Sequence, residues 1–184
     1  MSPHQRKDGL RRILSAEPWN IVDPSPRLLE LFDLALTHDS YSNESITKGK
    51  ESLNNERLEF LGDAALELAV RQYVFEKTDY AEGDMTGFKQ RFVSNERLAE
   101  IFNESLSELQ PLIQVGEGQK KNINASIKAG CFEAIIGAFY LEGGINRVNR
   151  VCNRLFFSDA DVERICQDIA MRKTLSSVQE CPDM

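Results

Sequence analysis

A chain of 184 residues has room for one domain with a sizeable core and little more. Hydrophobic residues make up 41% and charged residues 28%, and no apolar run reaches the length of a membrane span, which excludes both a membrane-embedded and a disordered class. The net charge of -7 offers no overall attraction for phosphate backbones, although total charge does not report how the basic residues are distributed.

In chain order, MSPHQRKDGLRR carries charges without an apolar stretch behind them, so it does not read as a secretory signal, and a cytoplasmic or organelle-matrix location is the expectation. The pattern is helical throughout, with turn signals between amphipathic runs and no period-two alternation, which predicts an all-α fold. A short helix is expected over 8–15 and a connector over 19–26. Ser25 and Pro26 then cap and open a helix with Leu28, Leu29, Leu31, Phe32 and Leu36 on its core side. The polar segment from Thr37 to Ser52 reads as a loop. Asn54 or Asn55 starts a helix running to about Lys77, Asp84 starts another, and Ser94 or Asn95 recaps it after a bend. Beyond Pro111 comes a basic turn, GEGQKKN. Asn124 then opens the most apolar helix of the chain, stopped at Gly143 and Gly144, and further helices are expected over 146–157 and 159–172.

The four cysteines, Cys131, Cys152, Cys166 and Cys181, form no C-x-x-C pair and read as reduced thiols. His4 and His38 are the only histidines, so any bound metal would be held by oxygen, which favours magnesium or manganese.

Within NNERLEFLGDAALEL, Glu56, Glu59, Asp63 and Glu67 fall on one side of a helix, nearly opposite Leu58, Leu61, Ala65 and Leu68. Like charges four residues apart weaken a helix by a few tenths of a kcal/mol each. A solvated face explains the stripe, and so does a cation site. Two features favour the second. Gly62 sits inside a strong helical pattern, where it costs about 1 kcal/mol against alanine, which suggests close approach of another element. Phe60 stands on the acidic side, exposed unless something covers it. Glu133, embedded in AGCFEAIIGAFYL, is expected to be partly buried, and such a carboxylate needs a partner, a proton or a metal. If the two helices cross, with Gly62 and Gly130 allowing the backbones to approach, Glu59, Asp63 and Glu133 converge on an oxygen-only site.

NERLEFLGDAALEL resembles the signature of the ribonuclease III family. LTHDSYSNE before it, EGDMTGFKQRFVSNERLAEI after it and FEAIIGAFYLEGG further on resemble family segments in the family's order, over about residues 27–157. The resemblance implies an all-α endonuclease domain, a homodimeric helical bundle that cuts double-stranded RNA with magnesium. It implies that Glu59, Asp63 and Glu133 hold the metal and carry catalysis, and that Phe60 inserts into a socket on the partner subunit. One position departs from the pattern: where the family has an aspartate three residues before the later glutamate, this chain has Gly130, and no acidic residue lies between Glu117 and Glu133 to replace it. The alternative implied by that departure is a non-cleaving RNA-binding or ribosome-associated relative. Lys120, Lys121 and Lys128 are the candidate RNA-binding lysines, against the plainer reading of GEGQKK as a solvated turn. The expected organisation is an N-terminal segment over 1–24, the ribonuclease III-like domain over 25–157, and a C-terminal helix and tail over 158–184, too short for a separate double-stranded-RNA-binding domain.

Overall fold

The computed structural model describes residues 3–49 and 52–157, together with 163, 166 and 167. Seven α-helices are bounded among the described residues: α1 (Pro3–Ser15), α2 (Pro26–Ala35), α3 (Asp39–Thr47), α4 (Glu56–Lys77), α5 (Glu82–Phe92), α6 (Asn95–Ser105) and α7 (Ala125–Leu155). A 3-10 turn, Ser107–Leu112, follows α6 and accommodates Pro111. No strand occurs among the described residues, only a parallel bridge between Thr37 and Gln114. The all-α expectation holds.

Local signals fix most of the helix ends. The hydroxyl of Ser25 accepts the Leu28 N–H and that of Ser94 the Arg97 N–H, while the Asn124 side chain accepts the Ile127 N–H. Each satisfies a donor that the first helical turn leaves free. Asn55 heads α4 without a side-chain cap, and Asn54 Oδ1 instead accepts the Glu56 N–H at 3.3 Å. Gly144, with φ +62°, breaks α7 into two rods at the place where the sequence sets a stop, and the second rod corresponds to the helix expected over 146–157. The helix expected over 159–172, like the rest of the tail, lies outside the described residues apart from Glu163, Cys166 and Gln167, which are helical.

The segment 37–52 corrects its expectation, because most of it is helix α3. Only Ser42 of α3 is buried, so no apolar stripe announced it. Hydrogen bonds hold it instead. His38 Nδ1 accepts the Ser40 N–H, the Ser40 hydroxyl accepts the Gly116 N–H at 2.9 Å, and a Glu44 oxygen accepts the Glu117 N–H at 2.7 Å.

Helix α7 is the axis of the core, packing most extensively on α4 and then on α6 and α2. Its first rod is buried nearly all round, with Phe132, Ile136, Ala138 and Phe139 fully enclosed. Trp19, Phe32 and Phe139 pack as an aromatic trio with centroids 5.2–5.7 Å apart. Leu10, Ile13 and Leu14 of α1 join this same core. Buried Arg6 fastens α1 to it, pairing with Asp33 and donating to the Leu112 carbonyl and, at 3.0 Å, to that of Asp33. Cys131 and Cys152 are buried free thiols whose pKa values burial pushes up to about 12, so they remain protonated packing groups.

Candidate active site

The site sits at the crossing of α4 and α7. A Cβ on Gly62 would overlap the carbonyl oxygen of Glu133, and one on Gly137 would overlap that of Leu58, so the two backbones touch there. This corrects the sequence reading: Gly62 pairs with Gly137, not Gly130. Gly130 faces the Glu59 carboxylate, where a Cβ would stand 2.8 Å from Glu59 Oε2. The Glu59 side chain therefore leans into space that a side chain at position 130 would claim.

Glu59 and Glu133 are partly buried and Asp63 is exposed. The Glu133 carboxyl is pushed up to about 7, first by burial and then by the negative charges of Asp63 and Glu59. Glu59 is also raised, mainly by burial, with His38 opposing and Glu56, Asp39 and Asp63 adding to the rise. The three predicted carboxylates thus share one neighbourhood and repel one another. The other two members of the stripe are engaged elsewhere. Glu67 binds Lys89 at 2.5 Å and Arg71 at 3.0 Å, which lowers its pKa, and Glu56 accepts from the Asn54 amide at 2.7 Å.

Oxygen donors of this kind suit a hard divalent cation, and the mutual repulsion is what such an ion would relieve. In donor type the residues fit magnesium. In the conformation observed, no three His, Cys, Asp or Glu groups among the described residues stand close enough together to hold a metal ion. Position 130, a glycine, contributes no carboxylate of its own to that neighbourhood.

Two neighbours went unnoticed in the sequence. His38 and Asp39, whose Nδ1 and Oδ1 lie 2.8 Å apart, both act on the Glu59 carboxyl. Their position in LTHDSY, just ahead of the acidic helix, was the available signal, but a segment read as loop gave no direction to its side chains.

A family model described as ribonuclease-III-like matches residues 29–160. The chain belongs to the ribonuclease-III-like family. Ribonuclease 3 of Listeria innocua is 36% identical over 154 residues, covering 82% of this chain and 66% of that protein. Ribonuclease 3 of Phytoplasma mali is 42% identical over 121 residues, covering 65% of this chain and 52% of that one. The chain thus spans about two thirds or less of the length of these relatives. Among solved structures, the nuclease domain of ribonuclease III from Campylobacter jejuni matches with a TM-score of 0.63 and 35% identity, over 80% of this chain and 94% of that domain, and it was described for structural flexibility in a region involved in dimer formation.

Within this ribonuclease-III-like domain, the remaining candidates are dispersed. Phe60 is 82% exposed on α4, and Leu68 and Phe75 of the same helix are also exposed. An apolar hollow of about 420 Å³ lies between α4 and α5, lined by Leu68, Val74, Phe75 and Met85 among others. Lys120 pairs with Glu117, and Lys128 donates to the Asn103 side chain at 2.6 Å, which leaves Lys121 the least engaged of the three lysines. The turn that carries Lys120 and Lys121 is docked on α3 and is not a free loop. No helix among the described residues is long and apolar enough to cross a membrane.

Proposed function

We propose that this chain is a ribonuclease III-type endoribonuclease domain that hydrolyses phosphodiester bonds of double-stranded RNA with magnesium, manganese serving as a substitute. The observation that carries the reading is the shared, mutually repelling neighbourhood of Glu59, Asp63 and Glu133 at the α4–α7 crossing of a family nuclease fold. Glu59, Asp63 and Glu133 would hold the ion. When bound, it would supply the charge that makes a water nucleophilic near neutral pH and that stabilises a phosphate under attack. Lys120, Lys121 and Lys128 would offer charge to the backbone flanking the scissile phosphate. Recognition rests on the shape and 2′-hydroxyls of the A-form duplex, since its deep major groove excludes side chains. Glu133→Gln should abolish cleavage of a labelled duplex while leaving the oligomeric state unchanged, and retained cleavage would overturn this assignment.

The proposed assembly is a homodimer with a self-complementary face, as a two-fold axis requires. Phe60 and the hollow beside Phe75 lie on the exposed side of α4, fifteen residues apart, roughly 22 Å along the helix. An antiparallel arrangement of two α4 helices would seat each Phe60 in the other copy's hollow.

Gly130 favours a second reading, in which the fold, the dimer and the RNA surface persist without cleavage. It predicts binding of double-stranded RNA with no product at any metal concentration.

A further inference from the structure

A hollow lined by both apolar and charged residues lies away from the carboxylates. Phe139 follows Glu133 on α7 by six residues, roughly 240° round the helix, and faces Trp19 and Phe32 rather than α4. Beside it, the second rod of α7 and the Pro18–Val22 loop enclose about 560 Å³, within the range of sites for nucleotide-sized ligands. Ile21, Val22 and the edges of Trp19, Val151 and Leu155 form its apolar lining, with the enclosed Phe139 behind them, and Arg147, Arg150 and Arg154 its charge.

The arginines have distinct placements. Arg154 donates to the carbonyls of Pro18 and, at 3.2 Å, of Trp19, and so fixes the loop that forms the opposite wall. Arg147 lies over the Phe139 ring, 5.4 Å from its centroid, with Glu142 at 3.7 Å. Arg150 is exposed and has no ion-pair partner among the described residues. Three guanidinium groups around one hollow, with one paired carboxylate, stand out in a chain whose net charge is -7. The planar guanidinium fork matches phosphate oxygens, and the apolar lining suits an organic group attached to them. Inorganic phosphate alone would leave that lining unfilled.

We propose that this hollow binds a nucleotide-sized organic phosphate, with Arg147 and Arg150 taking the phosphate and Ile21, Val22 and the accessible edge of Trp19 taking the organic ring. The site is independent of the carboxylate crossing.

Trp19 is the only tryptophan of the chain, so its fluorescence reports on the hollow directly. The full chain is titrated with adenosine 5′-monophosphate, with inorganic phosphate and with adenosine, and each titration is repeated by calorimetry. The nucleotide should bind saturably with a dissociation constant below about 1 mM, and the other two at least about tenfold more weakly. Arg150→Glu, at an exposed and unpaired position, should keep the parent melting temperature and weaken the nucleotide about tenfold or more, and Arg147→Ala should weaken it as well. Absence of saturable binding by both methods overturns the proposal, as does unchanged affinity in Arg150→Glu. Equal affinity for inorganic phosphate or for adenosine refutes the shared recognition of phosphate and ring.

Discussion

At the residue scale, Glu133 is a carboxyl held well above its ordinary range. Burial and two neighbouring carboxylates raise its pKa from 4.5 to about 7, so the folded state holds this proton more tightly than the unfolded chain. Stability contributed through Glu133 is therefore greatest below about pH 4.5, falls as pH rises through the interval up to about 7, and is flat above it. Glu133→Gln should flatten this part of the profile and raise the melting temperature at pH 8 by about 2–8 °C, read by calorimetry or circular dichroism. Magnesium should raise the melting temperature of the parent at pH 8 and have little effect on Glu133→Gln. An equal magnesium response in both would remove Glu133 from the ion's surroundings. That Glu133 would be half-buried was legible from its apolar flanks. Its two negative neighbours were legible only on the condition that α4 and α7 cross, and His38 and Asp39 were signalled only by their place ahead of the acidic helix, since the direction of their side chains depends on how α3 folds back.

At the element scale, the α4–α7 crossing organises both core and site. Gly62→Ala drives a methyl into the Glu133 carbonyl, a backbone atom that cannot move aside, and should cost about 2–4 kcal/mol in denaturant unfolding. Gly130→Ala meets only the mobile end of the Glu59 side chain, so the gain in helix propensity should leave stability between unchanged and about 1 kcal/mol higher. Similar costs for both would contradict the crossing geometry. The sequence marks Gly62 as misplaced in a helix, yet which small residue of α7 meets it follows from the register of the crossing, which periodicity does not encode. Helix α3 illustrates the opposite limit. Its polar residues fold through hydrogen bonds to a turn more than seventy positions away, and a reading of hydrophobic period has nothing to detect there.

At the scale of the whole molecule, the proposed assembly and activity turn on the exposed aromatic residues of α4 and on position 130. If two copies pair through α4, Phe60→Ala should weaken dimerisation by at least about 2 kcal/mol, roughly thirtyfold, in sedimentation equilibrium. A monomeric parent would remove the homodimer from the account. The proposed nuclease keeps three carboxylates where the family resemblance implies four, and a site with fewer charges binds its cation more weakly. The most direct test is cleavage of a labelled double-stranded RNA across a magnesium titration, with the parent and Gly130→Asp side by side. The account predicts cleavage by the parent that is lost on chelation, and a magnesium requirement at least about tenfold lower in Gly130→Asp. A parent that yields no product at any metal concentration, beside a Gly130→Asp variant that cleaves, would contradict it and establish the non-cleaving reading.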